Sequence, residues 1–113
     1  HRCARRELLC EDAHHEIALQ AVDPHAPLPD PYGVGLYHVA FEVPDKRSFG
    51  QALKHLRAMG VQPAVVDHVG ISWAMYFSDP DGNGLEIFWD TRGGDTSRHW
   101  LGNRPITEAE LFG

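Results

Sequence analysis

Long apolar runs are missing from this sequence of 113 residues, none approaching the ~20 residues that cross a bilayer or the apolar core of a signal peptide. No membrane partner is expected, and the chain reads as cytoplasmic. Clustered cations are scarce, with Arg2, Arg5 and Arg6 the densest group in a chain of formal charge -6, which argues against a nucleic-acid partner. Cysteine is confined to Cys3 and Cys10; their odd separation puts them on opposite faces of a strand. Neither has a second Cys at zinc-site spacing, so free, reduced thiols are expected. Methionine occurs at positions 59 and 75 while the chain begins at His1, so further sequence upstream is expected.

Histidine, by contrast, is plentiful, with eight in the chain including the pair His14 and His15, which makes metal or proton chemistry a class to test. Residues 6–10 and 14–22 read as short strands with no helix before them, so 1–22 has the look of the closing strands of an incomplete unit. Residues 23–35, DPHAPLPDPYGVG, carry four prolines and two glycines and read as a linker. The stretch 36–90 is a complete unit. A strand over 36–43 ends at Pro44, and Asp45 caps a helix over 46–59 whose stripe is Phe49, Ala52, Leu53, Leu56 and Met59, stopped by Gly60. Strands over 61–67, 72–78 and 85–89 follow, giving a βαβββ order and an α+β fold. The tail, 91–113, is mainly polar; Thr107 and Glu110 have capping-box spacing, and no chemistry is assigned to it.

Strand alternation locates a candidate site. Leu85, Ile87 and Trp89 form one apolar face for the helix to cover, as do Trp73, Met75 and Phe77, so Glu86, Phe88 and Tyr76 point the other way. His38 falls on that same non-helix face. A His, a Tyr and a Glu on one surface suit a divalent metal such as Fe(II), Mn(II), Ni(II) or Zn(II), and two His with one carboxylate would favour Fe(II). Trp73, Phe77 and Trp89 fall on the helix side, which assigns them to packing; Phe88 and Tyr37 remain candidates for a ligand wall.

The βαβββ order, the segment GLYHVAFEV and the segment YFSDPDGNGLEIFW resemble the second module of the vicinal oxygen chelate superfamily. That resemblance implies an incomplete partner module before it, and metal ligands at His38 and Glu86. HHEIAL at 14–19 is similar to the HH-x-L-A-F strand of type I extradiol dioxygenases, which implies an acid/base role for His15. Tyr76, ten residues before Glu86, matches the tyrosine that contacts the bound diol, and His68 lies near a second active-site histidine. The resemblance therefore implies an Fe(II) enzyme that cleaves a catechol-type aromatic diol with O2, working as a homodimer, whose third ligand lies in the preceding module.

Two alternatives stay open. Parity puts His15 with Ile17 and Leu19, and Glu16 with His14 and Gln20, so either His15 or Glu16 faces the site. An inward Glu16 would suit a glyoxalase-like isomerase or a thiol-transferase, and a metal-free drug-binding protein of the bleomycin-resistance type is a further reading.

Overall fold

Asp45 has an extended backbone, and its carboxylate accepts the Ser48 N–H at 2.7 Å, pairing an amide that the first helical turn leaves free. The helix it starts, α1, runs Lys46–Ala58. It closes with the Gly60 N–H on the Arg57 carbonyl (3.0 Å) and the Val61 N–H on the Leu56 carbonyl (2.9 Å). The computed structural model describes residues 17–113 and divides into two units, His1–Gly33 and Val34–Gly113.

In the first unit the described stretch holds a bridge residue at Ala18 and two turns, closed by Ala26 N–H on the Asp23 carbonyl (2.9 Å) and Gly33 N–H on the Asp30 carbonyl (3.1 Å). The Asp23 and Asp30 carboxylates accept the His25 and Tyr32 N–H groups, so the proline-rich segment turns through its aspartates. Of the strand expected over 14–22, the described part is that one bridge, and residues 18–22 are exposed without alternating burial. The strand expected over 6–10, with Cys3 and Cys10, lies outside the described residues.

The second unit has the expected βαβββ order: β1 (Val39–Val43), α1, β2 (Ala64–His68), β3 (Ser72–Ser78) and β4 (Gly84–Asp90). A short β5 (Asn103–Arg104) and a helix α2 (Glu108–Phe112) follow. The sheet order is β1-β4-β3-β2-β5, with β1 parallel to β4 and the other pairs antiparallel. Helix α1 carries the chain from β1 across the sheet to β2, and the antiparallel run β2-β3-β4 then brings β4 beside β1 as its parallel neighbour.

Phe49 and Leu53 of α1 are fully buried against Met75, flanked by Val43, Val65, Trp73, Phe77, Ile87 and Trp89. Each fully buried side chain of this size contributes about 1.5–3 kcal/mol. Trp73 stacks edge-on with both Phe49 (6.0 Å) and Trp89 (5.2 Å), which places the tryptophans in the core as parity predicts. Met59, expected on the stripe, is exposed: it is the C-cap, with a backbone outside the helical period.

The tail contributes more than its polarity suggests. Leu111 is buried in the same core and Ile106 packs against it. Thr107 and Glu110 form the expected capping box, Thr107 Oγ1 accepting the Glu110 N–H and Glu110 Oε1 accepting the Thr107 N–H. Arg104 bridges the Asp67 carboxylate (Nε to Oδ2, 2.8 Å) and Glu110 (2.6 Å), tying β5 to α2 and to the buried end of β2.

The Arg104 guanidinium, with the Thr107 N–H, holds the Glu110 carboxyl down to about 2 from its ordinary 4.5. A lowered carboxyl contributes stability that is present above its unfolded pKa and lost as pH falls through the folded one. Thermal denaturation of Glu110→Gln is therefore expected to depend less on pH between 4.5 and about 2 than that of the wild type, the two melting points converging at the acid end.

Candidate active site

Delivery of Glu86 begins in the 79–84 turn. The Asp79 carboxylate accepts the Asp81 N–H (3.0 Å), the Asn83 N–H (2.8 Å) and the Asn83 side-chain amide (2.8 Å). Burial pushes that carboxyl up, but these hydrogen bonds outweigh it and hold it below the usual range. The turn hands the chain to β4 at Gly84, where a Cβ would sit 2.7 Å from the Tyr37 carbonyl oxygen and 3.3 Å from His38 Cβ. Glycine there lets the residues before β1 lie against β4. Two residues on, Ala40 pairs with Glu86 in the parallel register, so His38 and Glu86 share one face.

On that face His38 Nε2 lies 3.2 Å from Glu86 Oε1. Glu86 is largely buried, and His38 Nδ1 is buried with no hydrogen-bond partner among the described residues. What orients the imidazole is therefore the group at Nε2. Tyr76 is the direct antiparallel partner of Glu86, its ring 6.2 Å from that of His38. His68, the last residue of β2, brings Nε2 to 2.7 Å from the Tyr76 hydroxyl. Burial first, and the adjacent Glu86 charge second, push the Tyr76 phenol above its ordinary 10.0, so it stays protonated at neutral pH.

A groove of about 390 Å³ opens beside Glu86, lined by Ala40, Ile71, Ser72, Phe88, Asp90 and Arg92. Phe88, expected as a wall residue, is on it. At its far side Arg92 and Asp90 form a bidentate pair at 2.7–3.2 Å, which holds the Asp90 carboxyl down to about 2.

The face thus gathers four of the five residues singled out from sequence: His38, Glu86, Tyr76 and His68. His15, with its rivals His14 and Glu16, lies outside the described residues. Tyr37 has an exposed ring, 5.0 Å from that of His38. Among the described residues no three His, Cys, Asp or Glu side chains converge. Asp90 and Arg92 were assigned no role above; their one signal in sequence is an acid and a base two apart at a strand end, and Asn103 and Trp100 carry none.

Residues 4–87 match the family described as the Glyoxalase/Bleomycin resistance protein/Dioxygenase superfamily. The chain is similar to a catechol-2,3-dioxygenase of Bacillus subtilis (strain 168), with 40% identity over 80 residues covering 71% of this chain and 28% of that protein. It is also similar to biphenyl-2,3-diol 1,2-dioxygenase 3 of Rhodococcus globerulus, with 35% identity over 82 residues, 71% of this chain and 43% of that one. Biphenyl-2,3-diol 1,2-dioxygenase 2 of the same organism is 26% identical over 77 residues, 68% of this chain and 40% of that one. The chain spans less than half the length of each of these relatives.

Because Glu86 is the second cause of the raised Tyr76 pKa, Glu86→Gln is expected to lower that pKa while burial keeps it above 10.0. An alkaline ultraviolet titration, with Tyr76→Phe to identify the phenol, reads the shift; an unmoved Tyr76 would separate the two groups.

Proposed function

The chain belongs to the glyoxalase/bleomycin resistance protein/dioxygenase superfamily, and from that premise we propose that it carries the metal-holding face of an extradiol dioxygenase acting on a catechol-type diol. The observation that carries this reading is the 3.2 Å approach of His38 Nε2 and Glu86 Oε1 on the same face as the Tyr76 and His68 pair. The named activities of the similar proteins, all dioxygenases of aromatic diols, support it.

The donor pair fits a divalent ion. Nitrogen and carboxylate ligands at about 2.0–2.2 Å, a right angle apart, stand about 3 Å from each other, close to the separation of His38 Nε2 and Glu86 Oε1. In this reading both hold Fe(II) through those atoms, with the third position filled from the preceding module. When bound, the ion supplies open positions at which a vicinal diol and O2 are brought together for ring cleavage beside the diol. Tyr76, kept protonated, holds its proton at Oη against His68 Nε2 and presents a neutral phenol to an incoming diol. His15 takes a diol proton and later returns one. Glu86 is largely buried, and Ala40, Ile71 and Phe88 give the groove beside it apolar surface for the ring of a diol.

A homodimer belongs to the same reading. Within the second unit β1 is an edge strand, and Leu36 and Tyr37 beside it are exposed. Sedimentation at micromolar concentration is expected to give a dimer; a monomer would remove this part.

The enzymatic reading is tested in two steps. His38→Ala and Glu86→Gln are each expected to weaken Mn(II) binding by the chain at least ~10-fold, measured by calorimetry. The protein extended by its upstream sequence and loaded with Fe(II) is expected to give a yellow ring-fission product from a catechol, and both substitutions to abolish it. No coloured product from any catechol tried would sink the proposal.

A further inference from the structure

Asn103 stands between two ring nitrogens. Its side-chain oxygen lies 2.9 Å from Trp100 Nε1 and 2.7 Å from His68 Nδ1. An indole nitrogen is a donor and nothing else, so the Asn103 atom facing it is the carbonyl oxygen. That oxygen is an acceptor and nothing else, so His68 Nδ1 must bring the proton. In a neutral imidazole Nε2 then carries a lone pair and accepts from the Tyr76 hydroxyl at 2.7 Å. One obligatory donor fixes the direction of every hydrogen bond in the chain Trp100, Asn103, His68, Tyr76.

The segment bearing Asn103 is held for this task. Asn103 faces His68 directly in the β2–β5 ladder, and Arg104 is bound to Asp67 on the opposite face. The Val69 N–H donates to the Gly102 carbonyl (2.9 Å) and the Leu101 N–H to the Val69 carbonyl (2.8 Å). Gly70 has φ +95, and a side chain there would strike the His99 carbonyl, so the hairpin and the tail are in backbone contact.

The Tyr76 proton has two claimants, His68 Nε2 and the adjacent Glu86 carboxylate. With the proton of His68 on Nδ1, Tyr76 donates to His68 and leaves the Glu86 oxygens free. With it on Nε2, His68 would donate to the Tyr76 oxygen, and the phenol would turn its proton onto Glu86. We infer that Asn103, aimed by Trp100, is a positioning residue that fixes His68 as the Nδ1–H tautomer and so keeps the Glu86 carboxylate available to a divalent cation. The inference rests on the proposed function in giving Glu86 a metal-binding role; the tautomer itself does not.

The test uses the 15N-labelled chain at a pH about two units above the ordinary imidazole value of ~6.5. Two-bond proton–nitrogen spectra distinguish the tautomers, and His68→Gln assigns the ring among the eight histidines. His68 is expected as Nδ1–H, the form that free imidazole side chains disfavour; an Nε2–H ring overturns the proposal. Asn103→Leu is expected to shift the ring to Nε2–H and to weaken Mn(II) binding about 10-fold, the size of a lost outer-sphere partner. Asn103→Asp, which keeps an acceptor oxygen, is expected to retain both properties. Trp100→Phe is expected to lose the pure Nδ1–H state, and an unchanged spectrum would remove Trp100 from the scheme. If Asn103→Leu kept the tautomer and the affinity, the positioning role would be lost. The spectrum needs no metal, diol or O2, so an Nδ1–H His68 in a protein that never cleaves a ring would defeat the enzymatic reading alone.

Discussion

The apolar stripe of α1 can leave water only by lying on one face of the sheet, and most of the rest follows from that burial. Phe49 and Leu53 are covered by Met75, Trp73, Ile87 and Trp89. Once those strand residues are committed inward, the pleat leaves Tyr76 and Glu86 no choice but the opposite face. A slip of one residue would exchange the two sets, placing a carboxylate in the core and a tryptophan in solvent, so the hydrophobic term that stabilises the fold also guards the site. Chemistry and core are two sides of the same alternation.

Alternation is local, which is why it could be read from sequence, and register is not. The positions of His38, Glu86 and Tyr76 on one face follow from the spacing of apolar residues within each strand. That Glu86 pairs with Tyr76 across β3 and β4, and that Ala40 pairs with Glu86 across β1 and β4, depends on pairings between distant segments. The same holds for Gly84: in sequence it is one more glycine in a turn, and its closeness to the Tyr37 carbonyl exists only after α1 has returned the chain to the sheet. Helix α1 and the Thr107 capping box were legible because caps are local. β5 was not, since two residues carry no period; nor was the burial of Ile106 and Leu111, which a mainly polar tail obscures.

The tail divides its work between the faces with those two residues. Arg104 turns to the helix side, where it meets Asp67 and Glu110, and Asn103 turns to the site side, where it meets His68. An ion-pair network and a tautomer-setting contact are thus neighbours along one backbone. Burial of Asp67 makes the network necessary, since a charge removed from water needs a partner held in fixed geometry. That fixed geometry is inherited by Asn103, so loosening the acid-sensitive anchor at Glu110 would also loosen the residue facing His68.

The groove beside Glu86 sets a final constraint on what the face can hold. Its walls include Ala40, Ile71 and Phe88, and the charge near it is already paired, Arg92 being engaged by both carboxylate oxygens of Asp90. A guanidinium with Nε and Nη2 already committed, and its charge already offset, offers less to a ligand anion than a free one. Uncharged aromatic surface needs no such partner and gains from leaving water. Under the proposed function, a diol would bring its polar end to His38, Glu86 and Tyr76 and lay the rest of its ring along Phe88. An acidic substituent at the far end would need Asp90 to be neutralised, and a carboxyl held down to about 2 stays ionised through the physiological range.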